Sequence, residues 1–549
     1  MAQEQVTKTE PIDGEYDYII AGAGSAGCLL ANRLSADPGK RVLILEAGGN
    51  DNWIWFHIPV GYLFAIGNPR SDWCFKTEPE PGLNGRSLNY PRGKVIGGSS
   101  AINAMVYMRG QAADYDHWRQ LGLNGWGWDD VLPYFKRHEN HFMGESAAHA
   151  IGGEWHIEAP RVRWDLLDAF RAAAEQAGIK SIADFNCGDN EGCCAFHVNQ
   201  RRGRRVSAAR AFLKPVLNRA NLRLETGCLV EGLIFQGRRA VGVRWQGGAL
   251  RSARCRGEVV LAAGAIGSPQ ILMLSGIGPA AHLREHGIDV LLDRPGVGAN
   301  LQDHLQLRLI YKVQGITTLN ERYHAPLGFV GMLAEYVLFR RGPLTMAPSQ
   351  LGLFTRSDRD QPRANLQYHI QPLSLERFGE PLHKFPAFTA SVCNLRPTSR
   401  GSLRLRSREP ADPPAIKPNY LSTDEDRRIA ASAIRLTRRI AAQPALAHFY
   451  PEEYLPGAAV RDDDEAGLVK AAGDIGTTIF HPVGTAKMGL SSDPLTVVDE
   501  HLRVAGIERL RVIDASVMPA ITSGNTNAPT MMIAEKGAAL LREDKALAA

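Results

Sequence analysis

Short apolar runs alternate with polar turns along the amino-terminal part of the chain. Residues 16–20 (YDYII) and 41–46 (RVLILE) are apolar and rich in β-branched residues, as is typical of buried parallel strands. Between them stand a glycine-rich turn (AGAGSAG) and a stretch of helical character (CLLANRLSA). The order of strand, turn, helix and strand predicts a βαβ unit.

The buried-strand pattern returns much later in the chain. It occurs at residues 258–263 (EVVLAA) and again at 510–514 (LRVID). We therefore expect a nucleotide-binding domain that is assembled from separated segments. Further strands are predicted at 222–225, 230–235, 240–245 and 401–407, and helices are predicted at 164–178 and from about 528 to 542.

Two regions depart from this pattern. Residues 53–110 are rich in Trp, Pro and Gly and have little periodicity. They predict an extended loop region with a function, because long irregular segments inside compact domains usually have one. From about 305 to 470 aromatic residues, prolines and alternating strands become more frequent, which indicates a separate lobe.

The composition is that of a globular protein without a nucleic-acid partner. Of the 549 residues, 44% are apolar and 22% are charged, and domains of about 100–200 residues predict two or three lobes. The net charge of +5 is weak, and we interpret the densest basic run as a solvated turn. This run contains Arg201, Arg202, Arg204 and Arg205.

The cysteines and the amino terminus bear on metals and on location. The eight cysteines form no CxxC pair, and scattered cysteines suit a reducing compartment. One group lies close together but matches no usual zinc spacing, so we expect no metal. This group is Cys187, Cys193, Cys194 and His197. Without a signal peptide or a run of about 18 apolar residues, we expect a cytoplasmic protein with no transmembrane segment, for which peripheral membrane contact stays open.

The glycine-rich turn contains the motif Gly22-x-Gly24-x-x-Gly27. The first glycine permits a tight turn, the second lets the backbone approach a pyrophosphate, and the third lets helix and strand pack closely. Glu46 ends the next strand, 19 residues after Gly27, where an acidic side chain accepts hydrogen bonds from ribose hydroxyls. The motif predicts a bound dinucleotide but fits NAD as well as FAD.

Longer segments separate these two cofactors. Residues 93–103 (GKVIGGSSAIN) and 264–278 (GAIGSPQILMLSGIG) closely resemble the two signatures of the glucose-methanol-choline oxidoreductase family. Shorter matches follow in the same order, so the resemblance spans about residues 16 to 541. They are NAMV at 103–106, NLQDH at 300–304, PNYL at 418–421, HPVGT at 481–485, DAS at 514–516 and NTNAPT at 525–530.

This resemblance implies FAD as the cofactor. Together with the patterns above, it predicts an α/β fold, α+β overall, with a Rossmann-like FAD-binding domain and a substrate lobe built on an antiparallel sheet flanked by helices. We expect the first domain at 16–160, 200–305 and 475–545, and the second at 161–199 and 306–474. Some relatives bond FAD through a His that corresponds to Ile102, so we expect noncovalent FAD here.

The family's cofactor positions carry over onto residues from both ends of the chain. Pro529 also suits the first turn of a helix and Asn527 its cap, and a helix N-terminus there would stabilise an anionic reduced ring. The positions are Gly22, Gly24, Ser25, Ala26, Gly27, Glu46, Ala47, Arg92, Gly93, Gly98, Asn103, Ala104, Val106, Val230, Ala263, Gly264, Asp514, Ala515, Asn527, Pro529 and Thr530.

The resemblance also implies a catalytic pair. Family members place a His in the H-P-V-G-T segment and a second His or Asn 44 residues later, which here are His481 and Asn525. A neutral imidazole can accept the hydroxyl proton as hydride leaves carbon, and the amide can hold the same oxygen. His304 and His57 are interpreted as structural.

Substrate and acceptor are less closely specified. In choline-oxidising relatives a Glu stands six residues before the Arg of an F-x-R-S segment, and here that position is Gln350. A cationic substrate favours a carboxylate or an aromatic cage, so we expect a neutral primary alcohol, aliphatic or benzylic, that passes its electrons to a quinone-type acceptor. An oxidase that uses O₂ and yields H₂O₂, a choline dehydrogenase, a non-redox FAD lyase and a non-catalytic flavin-binding protein are the alternatives.

Overall fold

Two seven-stranded sheets form the centre of the protein. A computed structural model describes residues 12–376 and 380–548. Helices pack on both sheets, which confirms the predicted mixed α/β fold class. Residues of the two signature segments, 93–103 and 264–278, line a cavity between the two sheets.

The first sheet combines strands from both ends of the chain. Its long strand Ala249–Leu261 pairs in parallel with Ile12–Ala21 and Leu510–Val512, so one sheet contains strands from distant parts of the chain. Near its amino end the same strand pairs antiparallel with Arg239–Gly247, which in turn pairs antiparallel with Leu229–Gln236. These two strands complete that side of the sheet. The strands are Ile12–Ala21, Val42–Glu46, Leu222–Thr226, Leu229–Gln236, Arg239–Gly247, Ala249–Leu261 and Leu510–Val512.

The first and last helices of the chain pack against each other beside this sheet. Ser25–Leu34 buries all but two of its ten residues, and Asn527–Ala548 lies along it. Arg33 joins them, because its guanidinium is 2.6 Å from Glu535 and 2.6 Å from Glu154. Residues 502 positions apart in the chain thereby form one wall of the fold.

The second sheet is antiparallel, as predicted for the substrate lobe. Its central strands are buried on both faces, since helices cover one side and the rest of the molecule covers the other. The strands are Gly192–Ala195, Leu305–Lys312, Leu351–Thr355, Leu366–Gln371, Ala387–Asn394, Glu452–Leu455 and Gly476–Thr478.

The remaining helices surround these two sheets. The predicted helix at 164–178 is found at Asp165–Gln176, with its apolar residues buried, and it packs with Asp424–Ala441 on the second sheet. The other helices of eight or more residues are Ala112–Gln120, Trp128–His138, Gly264–Leu274, Gly328–Phe339 and Glu465–Ile475. Within the described ranges, no helix has the length and the hydrophobicity that crossing a membrane requires.

The region predicted as an extended loop is largely irregular. It contains short 3₁₀ turns and two-residue strands, such as Phe75–Lys76 and Asn89–Tyr90, rather than long elements. Its residues Trp73, Phe75 and Arg92 reach the cavity between the two sheets. The predicted function of this segment is therefore compatible with its place beside that cavity.

Candidate active site

A cavity of about 290 Å³ lies between the two sheets. The first sheet contributes Ala21 and Glu46, which end two neighbouring parallel strands. The second sheet contributes Gln306, His369 and Gln371. A cavity at the carboxyl ends of parallel strands is the usual position of a nucleotide site in an open α/β sheet.

The glycines of the first turn serve different steric purposes. Gly22 has φ +104°, and a Cβ there would stand 2.6 Å from the carbonyl oxygen of Ala262. At Gly27 a Cβ would stand 1.8 Å from the carbonyl oxygen of Gly22, so the helix can pack on the turn only without a side chain. Gly24 lines the cavity, and a Cβ there would have no protein neighbour nearer than 3.9 Å. A side chain at Gly24 would fill space that a pyrophosphate needs.

A second glycine turn packs on the first. The 3₁₀ turn Gly98–Ala101 places Gly98, with φ +52°, so that a Cβ would stand 2.7 Å from the α-carbon of Gly24. Gly98 and Ser99 both line the cavity. The two turns therefore present backbone rather than side chains to one stretch of the cavity, which fits a phosphate-bearing cofactor.

Two helix N-termini meet at this cavity. The hydroxyl of Ser25, the first residue of its helix, donates to the side-chain oxygen of Asn527 at 2.8 Å. Asn527 is the first residue of the last helix, so it does not cap that helix as predicted; its side-chain oxygen is taken by Ser25 instead. Both N-termini offer partial positive charge to a bound anion.

Glu46 closes the adenosine end that the motif predicts. Its two carboxylate oxygens accept hydrogen bonds from the backbone N–H groups of Ala23 and Gly48, at 2.9 and 2.8 Å. Burial raises the pKa of Glu46 to about 7, against the lowering effect of these two hydrogen bonds. Further donors such as ribose hydroxyls would favour the charged form.

Most of the predicted cofactor residues line the cavity, and three predicted residues do not. Gly27 and Pro529 lie behind the wall, in the first turns of the two helices. Gln350 is buried, with its amide donating to the carbonyl of Ala347 at 3.3 Å. Its neighbours Pro348 and Ser349 form that part of the wall. The lining positions are Gly22, Gly24, Ser25, Ala26, Glu46, Ala47, Arg92, Gly93, Gly98, Asn103, Ala104, Val106, Val230, Ala263, Gly264, Asp514, Ala515, Asn527 and Thr530.

His481 and Asn525 stand together at this cavity. The amide Nδ2 of Asn525 lies 3.0 Å from Nε2 of His481. The side-chain oxygen of Asn525 accepts from the amide of Gln367 at 3.2 Å, which orients Nδ2 towards the imidazole. Asn525 therefore donates to His481, and Nε2 of His481 carries the lone pair.

A chain of hydrogen bonds fixes the tautomer of His481. The carbonyl of Leu395 can only accept, so Nε2 of His304, 3.0 Å away, carries a proton. Nδ1 of the neutral His304 ring then accepts from Nδ1 of His481 at 3.0 Å. Burial, then the neighbouring His304 and His369, hold the pKa of His481 well below its usual range. His481 is thus a neutral imidazole whose Nε2 faces the cavity.

Asp303 and Arg92 hold the segment that carries His481. Asp303 accepts from the backbone N–H of His481 at 2.8 Å, and from the hydroxyls of Tyr90, Tyr420 and Thr478. The guanidinium of Arg92 donates to the carbonyl of Phe480 at 2.8 Å. Neither Asp303 nor His304 was singled out as functional from the sequence, although both belong to the NLQDH segment.

Comparisons with known proteins indicate the family of this chain. Two family models, both described as GMC oxidoreductase, match residues 16–306 and 397–534. The chain is 43% identical over 531 residues to an alcohol dehydrogenase [acceptor] of Pseudomonas putida, covering 96% of this chain and 95% of that one. It is 42% identical to the mitochondrial choline dehydrogenase of Homo sapiens, covering 97% and 91% of the two chains. The solved structure of an FAD-dependent oxidoreductase from Chaetomium thermophilum superposes with a TM-score of 0.88 at 27% identity, covering 97% of this chain and 100% of that one.

Proposed function

Because this chain belongs to the GMC oxidoreductase family, we propose that it oxidises a neutral primary alcohol, aliphatic or benzylic, to the aldehyde, with His481 as the base. FAD is its cofactor, and it acts on CH–OH donors. The observation that carries the proposal is the unprotonated Nε2 of His481 beside Asn525 in a cavity with two glycine turns.

The chemistry that bound FAD would supply is acceptance of a hydride from the carbinol carbon. The residues of the chain handle the proton. Nε2 of His481 accepts it from the substrate hydroxyl and the ring becomes an imidazolium, and the loss of this proton together with the hydride converts the alcohol to the aldehyde. Nδ2 of Asn525 donates to Nε2 in this structure, so it can donate to the substrate oxygen once the hydroxyl takes its place at Nε2. The low pKa of His481 keeps the ring unprotonated before each turnover.

A neutral substrate agrees with the charges around the cavity. Among the described residues that line it, the carboxylates are Glu46 and Asp514, and each already accepts hydrogen bonds from backbone N–H groups of the cofactor-binding turns. The wall of the second sheet offers Gln306, His369 and Gln371, which are uncharged at neutral pH. A quaternary ammonium would find no carboxylate among the described residues of that wall. The feature that would favour one is the aromatic residues elsewhere in the cavity, which are Tyr62, Trp73, Phe75 and Phe480.

Choline is the second candidate substrate. The 42% identity to a choline dehydrogenase over most of both chains favours it. For the acceptor, the name of the Pseudomonas putida relative favours a dehydrogenase, and we assign a quinone-type acceptor to this chain. All eight cysteines are free thiols, which fits the cytoplasmic location that we propose.

The test is anaerobic mixing of the FAD-loaded protein with a panel of alcohols that includes choline. Bleaching of the flavin by aliphatic or benzylic alcohols, and not by choline, is the expected result. Bleaching by choline alone would establish the second candidate. If no alcohol bleached a fully loaded protein, the proposal would be abandoned, and cyanide release from a cyanohydrin without bleaching would identify a lyase.

The acceptor follows from what reoxidises the bleached protein. We expect a soluble quinone to restore the yellow colour quickly and air to do so slowly. Peroxide formed at the rate of aldehyde production would identify an oxidase instead. Acid precipitation should release all of the flavin, since Ile102 cannot form a covalent bond to it.

The base is tested by His481→Ala. This variant should retain FAD and lose about 10²–10⁴-fold in turnover. The matched control is His57→Ala, which alters a half-buried histidine that is absent from the residues lining the cavity. Near-normal turnover in His481→Ala would exclude the assignment.

A further inference from the structure

An apolar helix lies exposed on the surface of the substrate lobe. Gly328–Phe339 (GFVGMLAEYVLF) has one charged residue in twelve, and we call it the apolar helix. Leu338 is 71% exposed and Val330 58%, and Leu327, just before the first turn, is 79% exposed. The exposed apolar residues at this place are Leu327, Phe329, Val330, Leu333, Val337, Leu338 and Phe339.

The apolar helix exposes apolar side chains to solvent, where an ordinary surface helix exposes polar ones. Its attachment to the protein rests on Met332 and Tyr336, which are buried. Val330, Leu333 and Val337 recur at helical spacing and face the solvent. A surface helix normally turns polar residues outward, and a contiguous exposed apolar patch marks an interaction site.

Basic side chains surround one end of the apolar helix. Arg340 and Arg341 follow its last residue and are exposed. The guanidinium of Arg161 donates to the carbonyl of Arg340 at 2.9 Å, which places a third arginine there. The hydroxyl of Tyr336 donates to the carbonyl of Gly203 at 3.2 Å.

The contact between Tyr336 and Gly203 places the basic run at 201–205 next to the apolar helix. From the sequence alone we interpret this run as a solvated turn. Gly203 stands between Arg202 and Arg204, and both arginines are exposed. Two acidic groups of the described chain lie nearby, and both are paired. Glu335 pairs with Arg322 and Arg341 at 3.4 and 3.6 Å, and Glu158 pairs with Arg161 at 3.8 Å. The surface around the carboxyl end of the apolar helix therefore carries an excess of positive charge.

We propose that the apolar helix docks this protein on the surface of an anionic lipid bilayer. Twelve residues extend about 18 Å, which is too short to cross a bilayer of about 30 Å. A helix of this kind lies in the plane of the interface, with its apolar side chains among the acyl chains and the arginines at the headgroups.

Charge favours a bilayer over a second copy of the chain. A symmetric dimer would bring the same patch of both copies together, and with it the arginines around Gly203 and Arg340. Anionic headgroups complement these arginines, whereas a second copy repels them. The docking stands on this surface alone and does not depend on the proposed function.

Docking would also bring the cavity close to the membrane. After the apolar helix ends, the chain passes through the turn Pro343–Thr345 to Pro348 and Ser349, which line the cavity. The turn Pro59–Gly61 of the loop region packs against Pro343–Thr345. Apolar alcohols and quinones concentrate in bilayers, so a docked enzyme would meet them near its cavity.

The test is co-sedimentation of the FAD-loaded protein with lipid vesicles. We expect binding to vesicles of phosphatidylcholine with phosphatidylglycerol, weak binding to phosphatidylcholine alone, and release by salt. Leu338→Glu should weaken binding by about tenfold or more, because a leucine that the bilayer would bury is replaced by a charge. The matched control is Leu121→Glu, which makes the same charge change at a leucine that is 44% exposed elsewhere.

A second variant tests the headgroup contacts. Arg202→Gln with Arg204→Gln should weaken binding to the anionic vesicles by about 25-fold, at roughly fivefold for each charge, and leave binding to phosphatidylcholine unchanged. The proposal is overturned if the wild type does not bind anionic vesicles, or if Leu338→Glu binds as Leu121→Glu does. It is also overturned if sedimentation shows a dimer that Leu338→Glu dissociates and Leu121→Glu does not, since a second copy then covers the helix.

Discussion

At the scale of single residues, the tautomer of His481 depends on the carbonyl oxygen of Leu395, a residue that does not line the cavity. The carbonyl of Leu395 fixes the proton of His304, and His304 in turn fixes that of His481. In histidine sites, the hydrogen bond made by one ring nitrogen commonly selects the tautomer that the other nitrogen presents. We therefore propose that His304 positions the proton of His481.

His304→Ala should lower turnover by about tenfold or more, because Nδ1 of His481 loses its acceptor and the ring can adopt the wrong tautomer. The acid limb of the rate–pH profile should also move to higher pH. Burial is the main cause of the low pKa of His481, and the neighbouring His304 adds to it, so its removal raises that pKa.

The conservative variant His304→Asn supplies the control for this prediction. Its side-chain oxygen stands where Nδ1 stood and can accept the same hydrogen bond, so it should recover much of the turnover. A rate–pH profile that is identical in the wild type and in His304→Ala would contradict the argument.

Glu46 should make FAD binding depend on pH. Its charged carboxylate can accept from ribose hydroxyls with both oxygens and more strongly than the protonated form, and burial raises its pKa to about 7 without the cofactor. As the pH falls through that value, the protonated form increases and FAD affinity should fall by up to about tenfold per pH unit. Fluorescence titration of the apoprotein with FAD measures this.

Glu46→Gln provides the comparison. The amide does not titrate in this range, so its FAD affinity should be weaker at high pH and nearly constant with pH. A wild-type affinity that stayed flat between about pH 5 and pH 8 would show that the carboxylate does not titrate there.

At the scale of elements, the contact between the first helix and its turn tolerates no side chain. Gly27→Ala would place a Cβ 1.8 Å from the carbonyl oxygen of Gly22, so the helix Ser25–Leu34 must shift away from the cavity. We expect loss of FAD affinity by at least about tenfold and a lower melting temperature, by the cost of overpacking. Flavin content after gel filtration checks the first effect.

Gly331→Ala is the control for that substitution. Gly331 lies within the apolar helix, and a Cβ there would meet no atom within 4 Å. Replacing it should leave FAD binding unchanged and stabilise the helix by up to about 1 kcal/mol. If both variants lost flavin equally, the steric explanation for Gly27 would fail.

The elements also show what the sequence could predict. The strands at 16–20 and 41–46 were predictable because each is a short, mainly apolar run, and a buried strand leaves that trace. Their boundaries moved by up to four residues, since strand ends depend on pairing partners. The apolar helix was not predicted as exposed, because a helix that is apolar all round also looks like a buried one.

The candidate site shows the same division. Most of the cofactor residues predicted from sequence motifs line the cavity, because tight turns before helices require glycine at fixed positions in the local sequence. The contact between His304 and His481 joins residues 177 positions apart, and only the fold brings them together. Gln350 stays a prediction, since it directly precedes the strand Leu351–Thr355 and its amide donates to the carbonyl of Ala347.

At the scale of the whole molecule, a buried polar cluster joins three distant segments. Arg109 pairs with Glu139 at 2.6 Å, and His149 lies between Glu139 and Asp184, at 3.1 and 2.6 Å. Burial opposes the charge on His149, but the hydrogen bonds to both carboxylates outweigh it and raise the pKa of His149. They also hold the pKa of Glu139 at about 2.

This cluster should make stability depend on pH on the alkaline side. The pKa of His149 is raised in the folded state, so its stabilising contribution is complete below the ordinary value of about 6.5 and is lost as the pH rises through the folded pKa. Both carboxylates have lowered pKa values and stay charged throughout this window. The melting temperature of the wild type should therefore exceed that of His149→Gln by roughly a few degrees near pH 6, and the difference should shrink towards pH 9. Scanning calorimetry at several pH values checks this, and a difference that stayed constant would mean that His149 is neutral in the folded protein.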